Sequence, residues 1–152
     1  MVKKNLFLRY PKKIKYYIYT RENSMETSFD YDPKPIIPIG IVDSKENLEL
    51  DALIDSGSDI NFSYVIIGKL FLGLKFPVKP TDKIIGIDRN VSGWTRKINV
   101  KICNENIAMD VLFLNKRRFD PEKDTPIVLG REPLFQKFDV EFKGNKKITF
   151  RK

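Results

Sequence analysis

Histidine is absent from the 152-residue chain, and cysteine occurs only once. Without histidine there is no Ser-His or Cys-His nucleophile system, and the commonest protein ligand of metal ions is missing. The single Cys103 excludes an intrachain disulfide and a zinc cluster, and its place after the alternating run 98–102 predicts a small core residue. Any hydrolytic chemistry must therefore rest on carboxylates, and we expect no metal and no cofactor.

Long apolar runs are also missing. Arg9 directly follows the apolar residues Leu6 to Leu8, which excludes a signal peptide. The most apolar stretch, 64–76, contains Lys69 and Lys75 and is too short to span a bilayer. We therefore expect a cytoplasmic protein in a reducing compartment, with no membrane partner.

Positive charge exceeds negative charge, with 28 Lys and Arg against 20 Asp and Glu and a formal net charge of +8. Such an excess fits nucleic acid, an acidic membrane surface or acidic substrates. The basic residues are scattered, however, which is typical of a solvated surface. With 41% hydrophobic and 32% charged residues, the composition indicates a globular chain with one core.

The first 34 residues form a distinct segment of the sequence. Seven basic residues lie among the first 21 and are interleaved with tyrosines. Residues 5–20 predict a hairpin about the turn Pro11-Lys12-Lys13, and the polar residues 21–34 predict a linker. Such an arm either stacks on nucleic-acid bases or forms a β-ribbon with one buried face. We favour the ribbon and expect no nucleic-acid partner.

Apolar periodicity predicts a mainly β domain beyond residue 34. A helix is predicted from a cap at Ser63 through Leu72, ending at Gly73, and a helical turn is predicted over 133–138. Strands are predicted at 35–42, 48–54, 83–87, 94–102, 107–114 and 127–129, followed by a hairpin of 138–142 and 147–150 about Gly144-Asn145.

The stretch Leu53-Ile54-Asp55-Ser56-Gly57-Ser58-Asp59-Ile60 presents a carboxylate at the end of a strand. A carboxylate that activates water needs a rigid position, small neighbours that admit a substrate, and hydroxyl or N–H groups that orient it. Asp55, Ser56 and Gly57 supply all three, although the tripeptide alone is more typical of an ordinary turn.

This stretch resembles the active-site loop of the retropepsin-like aspartic proteases, in which two apolar residues precede Asp-Ser/Thr-Gly-Ala/Ser and another Asp follows. A second block, Ile127-Val128-Leu129-Gly130-Arg131 followed by Pro133-Leu134-Phe135, is similar to the family's apolar-apolar-Gly-Arg segment before its C-terminal helix. The blocks occur in the family's order, with room for a flap hairpin between them. The resemblance covers roughly residues 35–150.

The resemblance implies an all-β fold with one or two short helices, a retropepsin-like acid protease β-barrel with one half-site per chain. The division of the chain is then an arm over 1–34 and a protease domain over 35–152. The implied activity is that of an aspartic endopeptidase acting on a peptide or protein, with Asp55 as the catalytic residue. Because the chain has one such motif, a homodimer would bring in the second Asp55.

Further site residues are implied by the same resemblance. Ser56 would interlock across the dimer axis, Gly57 would bond substrate through its carbonyl, and Asp59 would pair with Arg131. The full supporting set is Ser56, Gly57, Ser58, Asp59, Gly130 and Arg131. A substrate-binding flap would comprise Ile87, Asp88, Arg89, Asn90, Val91, Ser92, Gly93 and Trp94, without the Gly-rich tip of the viral enzymes.

Three interpretations remain open. We favour an active homodimeric peptidase, because both motif blocks are intact. The same fold is also compatible with a catalytically silent dimerisation or peptide-binding module, since fold does not imply function. A nucleic-acid-binding protein that uses the basic arm is the third. Independently of these three, a plain surface hairpin remains the alternative to the predicted flap.

Overall fold

The structure is a computed structural model that describes residues 16–21, 24–44, 47–85, 90–115 and 117–152. Within these ranges the chain forms eleven strands and two short helices, which confirms the predicted all-β class. No helix in the same ranges is long and apolar enough to cross a membrane. The strands are β1 (Tyr16–Arg21), β2 (Ser24–Asp30), β3 (Ile36–Ile41), β4 (Glu49–Ile54), β5 (Asn61–Tyr64), β6 (Asp82–Ile85), β7 (Asn90–Ile102), β8 (Glu105–Leu114), β9 (Ile127–Leu129), β10 (Asp139–Lys143) and β11 (Lys147–Arg151), and the helices are α1 (Val65–Phe71) and α2 (Leu134–Lys137).

Six strands close into a barrel in the order β3-β4-β9-β5-β8-β7, because β7 also pairs with β3. Apolar residues at every second position of the strands explain this closure, because they all point to the same face of the sheet. Ile37, Ile39 and Ile41 of β3 are all buried, and so are Ala52 and Ile54 of β4. Closing the sheet pairs the strand edges that would otherwise be exposed and gathers the inward side chains into one core. Strand β6 extends from β7 outside the closed ring.

Strand β9 lies inside the sheet, as its wholly apolar sequence predicts. All three of its residues are buried, and it runs parallel to β4 and antiparallel to β5. Its pairing register places Leu129 beside Ile54. Asp55 and Gly130, the next residue of each strand, therefore leave the sheet side by side.

A second sheet has the order β1-β2-β11-β10 and corrects the prediction of a linker over 21–34. Residues 24–30 form β2, where Phe29 packs edge-on against Phe150 at 6.0 Å. The Ser28 and Thr149 hydroxyls also hydrogen-bond across the buried pair β2–β11 at 2.8 Å. Tertiary packing thus overrides the turn propensity of this polar stretch.

Much of the predicted N-terminal hairpin, including its turn at Pro11, lies outside the described residues. The part that the structure describes, β1, pairs with β2. The domain division at residue 34 stays a prediction.

Helix α1 matches the predicted segment, but its cap does not. Ser63 belongs to β5 and its hydroxyl donates to the Pro126 carbonyl at 2.7 Å, so the predicted capping role is wrong. Gly68 lies where a Cβ would stand 2.7 Å from the Phe76 ring, which explains a glycine inside this short helix. The helix then ends before Gly73, which has a φ of +64°.

Two other turns follow from asparagine and glycine. The predicted C-terminal hairpin of β10 and β11 turns through Gly144 and Asn145, both with positive φ. Cys103, predicted as a core residue, instead forms the β7–β8 turn with Asn104, and it is only partly buried. The predicted helical turn near residue 133 is α2.

Candidate active site

Asp55 follows the last residue of β4 and is held by hydrogen bonds to neighbouring backbone. Its N–H donates to the Leu129 carbonyl of β9 at 2.9 Å, and its Oδ1 accepts the Gly57 N–H at 2.9 Å. The Ser58 N–H donates to the Asp55 carbonyl at 3.2 Å and closes the turn. The carboxylate therefore has a defined orientation at the barrel rim while it remains partly exposed.

Ser56 and Gly57 are both exposed beside this carboxylate. A Cβ on Gly57 would stand 3.2 Å from the Asp55 Oδ1, a closer approach than most side chains make. The missing Cβ keeps this face of the carboxylate open. The Ser58 hydroxyl is engaged elsewhere, because it donates to the Ile60 carbonyl at 2.9 Å.

The second motif block packs directly on the Asp55 loop. A Cβ on Gly130 would lie 2.4 Å from the Ile60 carbonyl oxygen and 2.6 Å from that of Ser58, so only glycine fits. The Arg131 N–H also donates to the Ser58 carbonyl at 2.8 Å. Two blocks about 70 residues apart in sequence thus form one unit around the candidate site.

The structure brings Asp59 and Arg131 together in an ion pair between the Arg131 Nη2 and the Asp59 Oδ1. The Arg131 side chain is 51% exposed, and the Asp59 side chain is 67% exposed. Because solvent screens such a pair, its contribution to stability is on the order of 0–1 kcal/mol, less than a buried pair would give.

The predicted flap is only partly described. Strands β6 and β7 form an antiparallel hairpin in which Ile85 pairs with Asn90, and the predicted flap residues Ile87, Asp88 and Arg89 lie outside the described ranges. Val91 and Ser92 are partly buried. The base of the hairpin is fixed by Asp82, which accepts the Thr95 N–H at 2.9 Å and the Thr81 hydroxyl at 2.8 Å.

The hydrogen bond from the Thr95 backbone, with that from Thr81, lowers the pKa of Asp82 below its usual range. Asp82 thus stays ionised at the root of the hairpin. Gly93 is buried and Trp94 is only 5% exposed, with the Trp94 indole N–H donating to the Lys79 carbonyl at 3.0 Å. The Trp94 side chain therefore anchors the hairpin in the core.

A buried asparagine that the sequence reasoning missed lies between the two motif blocks. Asn61 begins β5, a strand that was not predicted, and is 3% exposed. Its amide bonds the backbone of Gly130, Glu132 and Asp110. The available signal was a polar residue between Ile60 and Phe62, since a polar side chain in an apolar strand needs internal partners.

Burial is the largest cause of the raised pKa values of Asp51 and Cys103. Desolvation, with a smaller effect of Glu49, raises the pKa of Asp51 in β4. Desolvation also raises the pKa of Cys103 to about 11, so this thiol is protonated and weakly nucleophilic at neutral pH. No cluster of His, Cys, Asp and Glu suited to a metal ion occurs in the part of the chain that the structure describes.

Solved structures similar to this chain include a retropepsin-like aspartic protease from Rickettsia conorii. Its TM-score is 0.54 at 13% identity, over 91% of this chain and 92% of that chain. The retroviral protease-like domain of Ddi1 from Leishmania major gives 0.50 at 11% identity, over 79% and 95%. The EIAV protease complexed with the inhibitor HBY-793 gives 0.47 at 18% identity, over 77% and 93%.

No protein-family model and no curated protein sequence matches this chain. The first two structural similarities, together with the closed barrel, define a retropepsin-like fold, as the two motif blocks predicted. At these identities the similarity establishes the fold alone. The fold resembles that of aspartic proteases, and the chemistry of this chain has to be argued from Asp55 and its surroundings.

Proposed function

We propose that this chain is a homodimeric aspartic endopeptidase whose catalytic residues are two copies of Asp55. The observation that supports it best is the geometry of Asp55 itself. A partly exposed carboxylate stands at a strand end of a retropepsin-like barrel, and the Asp55 N–H is bonded to the carbonyl of Leu129, the residue that directly precedes Gly130 and Arg131.

The need for a second chain follows from the chemistry. Activation of water and polarisation of a peptide carbonyl require one ionised and one protonated carboxyl group close together. The two motif blocks contain one such strand-end aspartate, so a two-fold dimer would supply the second. The shared proton belongs to the pair, and the two macroscopic pKa values of the pair move apart.

In the proposed reaction the ionised Asp55 accepts a proton from water, and the water oxygen attacks the scissile carbonyl carbon. The protonated Asp55 of the partner donates its proton to the carbonyl oxygen. The resulting gem-diol collapses as the now protonated Asp55 gives its proton to the amide nitrogen, one gem-diol hydroxyl returns a proton to the partner's Asp55, and the C–N bond breaks. The peptide lies extended beneath the two β6–β7 hairpins, held by strand-like main-chain hydrogen bonds.

Within this proposal the neighbouring residues keep the roles implied by the family resemblance. Ser56 interlocks across the dimer axis, Gly57 accepts a substrate N–H through its carbonyl, and the Asp59–Arg131 pair borders the cleft. We place the activity in the cytoplasm, because a chain with a single cysteine suits a reducing compartment.

The test is digestion of a peptide library by the purified protein over a range of pH, beside Asp55→Asn and with a chelator. We expect cleavage that is bell-shaped in pH, unaffected by the chelator and absent in Asp55→Asn. Cleavage that persists in the variant, or that needs a metal, would reject the proposal. Absence of cleavage at every pH, with peptides still bound, would favour the catalytically silent peptide-binding module.

A further inference from the structure

Asn61 uses both halves of its side-chain amide to hold a segment that contains Arg131. The Nδ2 group donates to the Glu132 carbonyl at 2.8 Å and to the Asp110 carbonyl at 3.0 Å. The Oδ1 atom accepts the Gly130 N–H at 3.0 Å. The segment from Gly130 to Pro133 lies between β9 and α2, and it is also held by bonds from the Arg131 N–H to the Ser58 carbonyl at 2.8 Å and from the Glu132 N–H to the Asp59 carbonyl at 3.4 Å.

The Leu129–Gly130 peptide unit is bonded on both sides. Its carbonyl accepts the Asp55 N–H at 2.9 Å, and its N–H donates to the Asn61 Oδ1 at 3.0 Å. A trans peptide is planar and points these two groups in opposite directions, so fixing one side restricts the other. Asn61 thereby limits the rotation of the peptide unit to which the Asp55 backbone is anchored.

Asparagine suits this position better than other residues of its size. Two backbone acceptors and one backbone donor converge on it, and the amide offers two donors and an acceptor. An aspartate would turn an acceptor toward two carbonyls, and a leucine would leave all three backbone groups without this partner. Exposure of 3% leaves little access for replacement water.

We infer that Asn61 is a positioning residue for Asp55, which acts by clamping the Leu129–Gly130 peptide against the catalytic loop. The effect on catalysis rests on the function proposed above, whereas the clamp does not. If the clamp is released, the Asp55 backbone gains freedom and the mean separation of the paired carboxylates increases. Weaker coupling then brings the two macroscopic pKa values of the pair closer together.

The test compares Asn61→Ala with Ser63→Ala by amide hydrogen exchange in the full chain. Ser63 is a matched control, because it lies two residues further along β5, is 1% exposed and donates to a different backbone carbonyl, that of Pro126. In Asn61→Ala we expect the Asp55 and Gly130 amides to exchange about tenfold faster while β7–β8 amides keep their rates. Ser63→Ala should leave both amides unchanged.

Unchanged exchange at both amides in Asn61→Ala would overturn the inference, and so would equal acceleration in Ser63→Ala. If Asn61→Ala does not fold, exchange in the unaltered chain decides. The Gly130 and Asp55 amides should then be as protected as those of β7, and exchange at the rate of exposed turns would reject the clamp.

Kinetics with a cleaved peptide separate positioning from general stability. We expect kcat of Asn61→Ala to fall about tenfold or more, with a smaller change in KM. The bell-shaped dependence of cleavage on pH should also become narrower. Ser63→Ala should keep the width of the bell. If the Asp55 and Gly130 amides of Asn61→Ala exchange faster but kcat and the width of the pH profile are unaltered, the role of Asn61 in positioning Asp55 is rejected. If the unaltered chain cleaves nothing, the proposed peptidase fails, and exchange still decides the clamp.

Discussion

Replacing Gly130 by alanine tests whether the two motif blocks really form one tightly packed unit. The added Cβ would stand 2.4 Å from the Ile60 carbonyl oxygen and 2.6 Å from that of Ser58. Ordinary contact begins at 3.4 Å, so one segment must move by about 1 Å. Both obstructing atoms are backbone, which cannot rotate away as a side chain can.

The expected cost has two parts. Overpacking costs about 1–3 kcal/mol, and each of two hydrogen bonds that the movement strains is worth about 0.5–1.5 kcal/mol. These bonds join Gly130 to Asn61 and Arg131 to Ser58. The sum, roughly 2–6 kcal/mol, is a large part of the 5–15 kcal/mol that stabilises a typical domain.

Urea unfolding at a fixed protein concentration measures this change, since dimerisation would make stability concentration-dependent. Gly144→Ala is the control, because Gly144 has a φ of +60° and a Cβ added there would meet nothing within 4 Å. Its cost should be the conformational strain alone, about 1–2 kcal/mol. A Gly130→Ala protein as stable as Gly144→Ala would refute the packing argument.

Three further changes test separate parts of the structure. Arg131→Ala should lower the free energy of unfolding by no more than about 1 kcal/mol, because the ion pair of Arg131 with Asp59 is exposed. The same change should lower peptide cleavage. A loss of stability above about 3 kcal/mol in urea unfolding would contradict the exposed pair. Asp51→Asn should stabilise the protein at pH 7 and leave it unchanged at low pH. The pKa of Asp51 in the folded protein is raised above its ordinary value of 3.8, so the folded state binds more protons than the unfolded state in the pH interval between the unfolded and folded pKa values. The stability of the unaltered chain therefore falls as pH rises through this interval. Equal unfolding curves of Asp51→Asn and the unaltered chain at pH 7 would count against this. Hydrogen exchange over residues 90–94 should slow when a peptide inhibitor binds, if the β6–β7 hairpin covers the cleft, and unchanged exchange there would argue against a flap.

Sequence reasoning predicted the parts of the site that depend on local pattern. The wholly apolar run of β9 indicated a strand inside the sheet, and this buried strand is present. Asp55 could be placed at a strand end because an apolar pair precedes it and small residues follow. Each of these features depends only on a few residues that are neighbours in the sequence.

The parts that were missed depend on distant partners. Asn61 gains its role from Gly130 and Asp110, which lie 69 and 49 residues away, so the local signal of a polar residue between Ile60 and Phe62 does not specify its partners. Residues 21–34 were predicted as a linker because they are polar and rich in turn formers, whereas residues 24–30 form β2 by pairing with the distant β11 as well as with β1. Ser63 resembles a helix cap in sequence, yet Pro126 accepts its hydrogen bond instead.

The central claim is that one active site needs Asp55 from two chains, and mixing the unaltered protein with Asp55→Asn tests it directly. The two proteins are combined at constant total concentration, allowed to exchange subunits, and assayed for peptide cleavage. If both carboxylates are needed, activity follows the square of the unaltered fraction, about a quarter of full activity in an equal mixture. Activity of about half in that mixture, as expected if each chain acts independently, or of about three quarters, as expected if one Asp55 suffices in a shared site, would contradict the account.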